Sequence, residues 1–239
     1  MIDELQAELE KYADNKTKIG AEKYLKGSTN RGVKMAKVIE IYNNFKPKIK
    51  ELSQDEMIKL AINLIKSKYF EDKTIGIRIL EHDSKKLSKE ILGEFYNLFD
   101  SYIYEWASCD VLSSKVISKI IINDKSAAKI MIKWSKSDKV WAKRASIIAF
   151  VNLAAKQDFD SEIIEIAGNL ITNDFRFIQL GTGWCLRNLW LKSPKLVLGF
   201  IKKNYKHFSR EGLRYAVEKM NPELKTKVLK NDFTAHTIS

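Results

Sequence analysis

Three segments that each place a tryptophan beside a charged residue recur at a nearly constant interval along this 239-residue chain. Asp110 and Arg144 lie 34 residues apart, and Arg144 and Trp184 lie 40 residues apart. Intervals of this size are typical of helical-pair repeats, in which equivalent positions of successive repeats line one face of a solenoid. The segments cover residues 105–110, 141–145 and 183–187.

The rest of the chain also favours helices. Only 10 glycines and 3 prolines are present, so there are few residues that break a helix. No segment alternates with period two for long enough to predict a strand, whereas apolar residues recur with helical spacing in about a dozen short segments. We therefore expect an all-α fold, an α-solenoid of antiparallel helical repeats that forms one domain over residues 1–239. A four-helix bundle with appendages would satisfy the same periodicity.

Local signals place several helix ends. The sequence Ser-Gln-Asp-Glu at 53–56 predicts an N-cap followed by an acidic first turn. Pro194 and Pro222 suit the first turn of a helix. A helix over 34–45 is expected to end before Pro47, because the residue before proline disfavours helix. Two longer helices are predicted, one over 87–104 and one that begins after a cap at 137–138 and runs to about residue 155.

The charge of the chain points toward polyanionic partners. Lys and Arg number 42 against 30 Asp and Glu, which gives a net charge of +12, and phosphate contacts supply most non-specific affinity for nucleic acid. No apolar run approaches the roughly 18 residues that a membrane span needs. The acidic N-terminus lacks the apolar core of a signal peptide. We therefore expect a cytoplasmic protein with no membrane partner.

The familiar enzyme motifs are absent from the sequence. It contains no GxxxxGK[ST], GxGxxG, HExxH or CxxC motif. The histidines, His82, His207 and His236, are scattered, so we expect no metal site, no cofactor and no Ser-His relay. Cys109 and Cys185 have no metal-type spacing and are expected to be reduced, apolar fillers. Catalysis would therefore depend on carboxylates, arginine and aromatic residues.

The residues of the recurring segments each have a structural interpretation when taken singly. Trp106 would be core, and Asp110 would be a helix cap or part of a salt bridge. On a continuous helix these two lie on one face, whereas a helix that begins near Ser108 would put Asp110 in its first turn. Arg144 would form a buried ion pair. Trp184 lies among glycines, which let another backbone or a ligand approach closely.

Their shared register gives these residues a joint interpretation. Equivalent positions of three consecutive repeats can present tryptophan, aspartate, arginine and tryptophan on one inner face. Indole faces attract cations, and a carboxylate stabilises positive charge that develops during a reaction. An arginine nearby suits a phosphate. Such a set fits a breaking glycosidic bond whose sugar resembles an oxocarbenium ion.

The sequence resembles the AlkD-type DNA alkylation repair glycosylases, which are built of HEAT-like repeats. The resemblance is carried by residues 105–110, 134–145 and 177–187, with a weaker match at Tyr24-Leu25-Lys26 and Gly32-Val33. It implies an all-α solenoid of HEAT-like antiparallel repeats with a concave basic groove. It also implies excision of cationic N3- and N7-alkylated purines from duplex DNA without base flipping. Since a cationic base leaves as a neutral one, no general acid is needed.

The resemblance further implies roles for individual residues. Trp106 and Trp184 would flank the deoxyribose of the damaged nucleotide, and Asp110 would stabilise the sugar cation and position the attacking water. Arg144 would hold the DNA near the lesion. Further DNA contacts are expected from Lys143, Arg187 and Tyr24. The expected partner is duplex DNA containing alkylated bases, bound by a monomer.

Other functions remain open. The loop at 27–31 and the segment Met35-Ala36-Lys37 depart from the aromatic residues and the proline-arginine pattern that the family commonly has there. A non-catalytic relative would recognise the shape of the DNA backbone and would bind DNA with a salt-dependent affinity. A helical-repeat scaffold would instead bind proteins, and a basic excess spread evenly over its surface would favour that function.

Overall fold

The structure, a computed structural model, describes residues 1–233, and its regular elements are helical apart from two isolated bridges, Thr29 with Tyr69 and Phe99 with Ile103. A six-residue π-helix, Leu112–Ile117, lies between α7 and α8, and four 3₁₀ turns complete the described range. The expected all-α fold is confirmed. The α-helices are α1 (Ile2–Glu10), α2 (Asn15–Tyr24), α3 (Met35–Lys50), α4 (Gln54–Ile65), α5 (Phe70–His82), α6 (Leu92–Leu98), α7 (Trp106–Val111), α8 (Ser118–Asn123), α9 (Ala128–Ser135), α10 (Val140–Ile148), α11 (Asp160–Leu170), α12 (Arg176–Trp190), α13 (Pro194–Asn204), α14 (Arg210–Ala216) and α15 (Pro222–Leu229).

Local capping signals begin several helices where they were predicted. The Ser53 hydroxyl accepts from the backbone N–H of Glu56, and the Glu56 carboxylate accepts from the backbone N–H of Ser53 at 2.9 Å. This reciprocal pair satisfies two donors at the start of α4 that have no partner within the helix. Pro194 and Pro222 are the first residues of α13 and α15. Both suit this position because a first-turn N–H has no acceptor within the helix.

The prediction that the third helix ends before Pro47 is wrong. The helix α3 continues to Lys50 and contains Pro47. Proline cannot donate to the carbonyl of the residue four positions earlier, but that residue, Asn43, is exposed, and water can satisfy its carbonyl. The last turn buries Ile49. Burial of this side chain therefore outweighs the local preference of proline.

The helix predicted over 87–104 is also shorter than expected. Its α-helical part is α6, which ends at Leu98. Asp100 has φ 66°, in the left-handed region that interrupts a right-handed helix. The backbone N–H of Ile103 donates to the carbonyl of Leu98 at 2.9 Å. A tight turn therefore closes the helix and leads the chain toward α7.

The helix predicted to run to about residue 155 begins at Val140 and ends at Ile148. Hydrogen-bonded turns continue the chain over residues 149–156. Ser137 accepts from the backbone N–H of Lys139 at 2.9 Å, so the predicted cap lies in the turn before α10. The sequence therefore predicted the position of α10 correctly, but the predicted helix is longer than the α-helix in the structure.

The chain divides into two compact units, Met1–Asn123 and Asp124–Ser239. In the first unit, α4 and α5 are joined by four residues and pack against each other, as expected for an antiparallel pair. In the second unit, α9 packs against α10, and α12 packs against α10 and α14. The single domain expected over residues 1–239 stays a prediction. No helix within residues 1–233 is both long and apolar enough to cross a membrane.

Candidate functional site

The helix that carries Trp106 and Asp110 begins at a buried carboxylate. Glu105 is the N-cap of α7, with extended backbone angles, and its two carboxylate oxygens accept from the backbone N–H of Ser108 at 3.0 and 3.1 Å. Since α7 begins at Trp106, Trp106 and Asp110 are one turn apart on one face. The first of the two geometries considered for this pair is therefore correct. Both side chains are half-buried.

A π-helical turn, Leu112–Ile117, begins two residues after Asp110. Three serine hydroxyls each donate to the carbonyl four residues earlier, and all three bonds lie between 2.6 and 2.7 Å. Single π-turns inside α-helices occur frequently at functional sites. The sequence signal for this turn is a cluster of serines inside an apolar helix. The three donors are Ser113, Ser114 and Ser118.

Tyr24 contacts Trp106 within the first unit. Their ring centroids are 5.6 Å apart with an interplanar angle of 78°, an edge-to-face contact. Tyr24 is 72% exposed and ends α2, a helix that buries none of its own side chains. The structure thus brings together three of the predicted site residues, Tyr24, Trp106 and Asp110, along one partly exposed surface.

A buried lysine lies behind this surface. Lys73 is 1% exposed, and its Nζ lies 4.2 Å from the centroid of the Tyr104 ring. Burial lowers the pKa of Lys73, while the charges of Glu105 and Asp72 raise it. Burial likewise raises the pKa of Glu105, and the hydrogen bonds from Ser108 lower it. Sequence reasoning missed Lys73 because lysine is almost never fully buried unless it is paired.

Two buried acids hold the loop that precedes α3. Glu71 accepts from the backbone N–H groups of Arg31, Gly32 and Val33 at 2.9 to 3.1 Å. Asp72 accepts from Nε and Nη2 of Arg31 at 2.8 and 2.9 Å. Both acids lie in the first turn of α5. They fix the loop before α3, and Arg31 serves a structural role there.

Arg144 is anchored inside the second unit. It is 5% exposed, and its Nη1 donates a hydrogen bond to the backbone carbonyl of Phe177. A Cβ at Gly181 would lie 3.1 Å from the same Nη1, so the absence of a side chain at this glycine makes room for the guanidinium. Arg144 therefore has a fixed position beside the first turns of α12.

An aromatic cluster braces the same helix start. Trp141 is buried and packs edge-on against Phe175 at 5.7 Å, and it lies 5.8 Å from Phe177. Phe175 also contacts Phe177 at 5.6 Å. Contacts of this kind add about 0.5–1.5 kcal/mol per pair beyond area burial. Trp141 is therefore part of the packing that positions the carbonyl to which Arg144 donates.

The remaining predicted residues of the second unit differ in their surroundings. Lys143 and Trp184 are half-buried. Arg187 pairs with Glu218, with Nη1 and Oε2 2.8 Å apart, and this contact is the largest cause that lowers the pKa of Glu218. A phosphate that binds Arg187 would therefore compete with a carboxylate that already occupies one edge of its guanidinium.

Gly183 allows a close approach between two helix backbones. A Cβ on Gly183 would lie 2.3 Å from the carbonyl oxygen of Gly212 in α14. The sequence leaves two reasons for small residues beside Trp184, the close approach of another backbone or of a ligand. For Gly183 the reason is the backbone of α14. This contact lies in the second unit and sets how α12 packs on α14.

Replacing Gly183 by alanine is expected to lower the free energy of unfolding by about 1–3 kcal/mol, because the helices must separate to admit the new methyl group. The control is Gly199→Ala in α13, where a Cβ meets no atom within 4 Å. That change should stabilise by up to about 1 kcal/mol through helix propensity. Urea denaturation measured for both variants checks this, and equal effects would contradict the close approach.

The two cysteines are buried. Cys109 and Cys185 form no disulfide within residues 1–233, and burial raises the pKa of the Cys185 thiol well above its usual value. His82 lies 3.5 Å from Asp83, and His236 lies outside the described residues. Within residues 1–233 no group of three or more His, Cys, Asp or Glu could hold a metal ion.

The sequence and the fold match known proteins. Residues 5–220 match a family model described as DNA alkylation repair enzyme. A solved structure from Enterococcus faecalis, described as a predicted DNA alkylation repair enzyme, aligns with a TM-score of 0.76 at 16% identity, over 87% of this chain and 97% of that one. No curated protein matches the chain. The structural likeness confirms the prediction of an all-α fold of helical repeats.

Proposed function

Because the chain belongs to the family of DNA alkylation repair enzymes, we propose that it is a monofunctional glycosylase that excises cationic N3- and N7-alkylated purines from duplex DNA. Its membership confirms the resemblance noted from the sequence and places the chain in DNA alkylation repair. One observation supports the finer proposal most directly. Asp110 lies one turn from Trp106 on a partly exposed face of a helix whose start is fixed by a buried cap.

The chemistry of the substrate matches these two side chains. An N7-alkylated purine carries a positive charge and leaves as a neutral base, so positive charge moves onto the deoxyribose as the bond breaks. The Asp110 carboxylate stabilises that charge, and the indole face of Trp106 stabilises it through its quadrupole. Asp110 also orients the water that attacks the anomeric carbon. No proton is needed by the leaving base, so a site without histidine suffices.

The other assigned residues bind the nucleic acid in this proposal. Trp184 contributes a second contact to the sugar, and Tyr24 extends the aromatic surface that begins at Trp106. Arg144, Lys143 and Arg187 bind phosphates. To do so, Arg187 breaks its ion pair with Glu218 and pairs with a phosphate of the DNA backbone instead. The net charge of +12 supports a polyanionic partner and predicts an affinity that falls steeply with salt.

The proposal further holds that the protein acts as a monomer in the cytoplasm on duplex DNA containing alkylated bases. Base removal leaves the lesion strand with an abasic site. Since the proposal assigns no amine nucleophile to the sugar, the strand should stay intact after the base has left. Strand cleavage that follows base release would point to a different chemistry.

The direct test is base release from a duplex that carries a single N7-methylguanine. With enzyme in excess, the released base should accumulate well above the spontaneous rate, and an undamaged duplex should release nothing. Gel analysis with and without alkali should reveal abasic sites and no enzyme-dependent nicks. Release at the spontaneous rate would refute the glycosylase. If DNA were still bound, with affinity lost in Arg144→Ala and kept in Asp110→Asn, the protein would be a non-catalytic relative.

A further inference from the structure

A cavity of about 330 Å³ lies beside the Trp106 helix in the first unit. Its volume is in the range of ligand-binding pockets, which begin at about 300 Å³. The walls come from α3, α5 and α7 and from the π-turn, and they include Ala107, the residue next to Trp106. Apart from the backbone N–H of Ser108, which donates to the Glu105 cap, none of the roles assigned above involves the residues that line it.

The cavity has an apolar end and a charged end. Met35 and Phe70 are the first residues of their helices, and they line the cavity together with Ala107 near the start of α7. Arg78 lies eight residues beyond Phe70 in α5, and Lys115 lies eight residues beyond Ala107, in the π-turn that follows α7. At about 1.5 Å per residue the charged end is about 12 Å from Phe70 and Ala107. The apolar end is therefore the one beside Trp106.

One donor on the cavity wall is without a hydrogen-bond partner. The buried Nε of Arg78 has none within the described part of the chain. Leaving a buried donor unpaired costs about 1–3 kcal/mol, and such groups are rare in native proteins. Arg78 lines the cavity, and a bound acceptor would satisfy this donor.

The charges on the wall favour an anionic acceptor. Arg78 and Lys115 contribute two positive charges and Glu81 one negative charge. Among the ion pairs found over residues 1–233, none joins Arg78 to Glu81. A guanidinium suits the oxygens of a phosphate. The apolar walls, which include Ile77 and Val111, suit the C–H faces of a sugar.

We propose that this cavity binds one deoxyribose-phosphate unit of the DNA strand that runs past Trp106. The phosphate accepts from Arg78 Nε and is neutralised in part by Lys115, while the sugar packs against Val111. The proposal deepens the proposed function, because it takes DNA as the substrate. Its consequence is a fixed register, since a strand held about 12 Å from Trp106 is held within about four base steps of the lesion, at 3.4 Å per step.

The test replaces single phosphates by neutral methylphosphonates at successive positions around a stable abasic-site analogue in a duplex. Affinity is measured by fluorescence anisotropy, so no excision is required. For the wild-type protein, one position within about four steps of the analogue should weaken binding about tenfold, the cost of a lost hydrogen bond to a charged group. Arg78→Met should weaken binding of the unmodified duplex by a similar factor and abolish the penalty at that position.

A control variant sharpens the result. Arg214→Met removes an exposed arginine of α14, outside the cavity, and should lower the affinity without abolishing the positional penalty. A penalty that disappears in Arg214→Met as well would overturn the proposal, because it would then not depend on the cavity.

Two outcomes would refute the cavity as a DNA site. One is a positional penalty that survives intact in Arg78→Met. The other is tight binding of a free deoxynucleoside monophosphate that depends on Arg78 and that duplex DNA does not displace, because the phosphate would then come from a small molecule. Failure of the glycosylase proposal is a separate result, since a protein that excises nothing can still show the coupling between Arg78 and one phosphate.

Discussion

Asp110→Asn is expected to slow base release from an N7-methylguanine duplex by about 10²–10³-fold, the usual effect of removing one preorganised group that stabilises transition-state charge. This factor corresponds to about 3–4 kcal/mol of activation free energy. Asparagine keeps the size of the side chain and its place on the helix face, one turn from Trp106. What it loses is the negative charge that faces the developing sugar cation. Single-turnover release with enzyme in excess measures the chemical step.

The affinity of this variant for DNA should change little. A carboxylate near a polyanion repels it, so removing the charge should leave binding unchanged or slightly tighter. Anisotropy with the uncleaved duplex measures this before release begins. A fall in the rate together with a preserved affinity indicates an interaction made only in the transition state.

Glu94→Gln is the matched control for Asp110→Asn. Glu94 is an exposed residue of α6 in the same compact unit, and its substitution changes the net charge of the protein by the same amount. Its release rate should stay within about twofold of wild type, because exposed charges are screened over about 10 Å. Equal rate losses in the two variants would contradict a specific role for Asp110, and so would an unchanged rate in Asp110→Asn.

The parts of the fold that the sequence predicted are those set by local signals. A capping box at Ser53 and prolines at 194 and 222 begin helices because their effects lie within one turn of chain. The errors at Pro47 and Asp100 have a different origin. Burial of Ile49 carries α3 past a proline, and a left-handed residue closes α6 early. The first error reflects burial in the folded protein, and the second reflects a turn whose hydrogen bonds join Leu98, Asp100 and Ile103. The spacing of apolar residues predicts neither.

The candidate site was predictable to a similar extent. The four-residue spacing of Trp106 and Asp110 already predicts a shared helix face. By contrast, the contact of Arg187 with Glu218 spans 31 residues. The burial of Lys73 is invisible in a sequence where lysines are common and usually exposed. Buried side chains such as Lys73, and partners such as Glu218 that are distant in sequence, are therefore identified only in the structure.

Glu105→Ala is expected to destabilise the protein by about 1–3 kcal/mol, the range for leaving a buried donor unpaired, because the backbone N–H of Ser108 loses its acceptor. The change removes the carboxylate that caps α7 and leaves the buried ammonium of Lys73 with one fewer compensating charge. An exposed cap gives the scale, since Ser53→Ala in α4 should cost about 1 kcal/mol. Urea denaturation of the two variants, compared at equal m-values, measures the difference.

A double-mutant cycle separates the cap from the charge. Lys73→Met removes the buried ammonium and keeps most of its volume, so adding it to Glu105→Ala should recover part of the lost stability. The cap hydrogen bonds to Ser108 stay missing in the double variant, and this remainder should be close to the loss in Ser53→Ala. If the two changes add without recovery, Lys73 and Glu105 do not interact, and the cap alone accounts for the loss.

The same pair should affect base release through position. Lys73 is too deeply buried to touch DNA, yet it lies behind the residue that fixes the first turn of α7, and Trp106 is the first residue of that helix. Lys73→Met should therefore slow release at a temperature where the variant is fully folded, with Asp110 still required for the remaining activity. If a folded Lys73→Met variant has the wild-type rate, the buried charge of Lys73 contributes to stability alone. The helix that carries Trp106 and Asp110 would then keep its position without that charge.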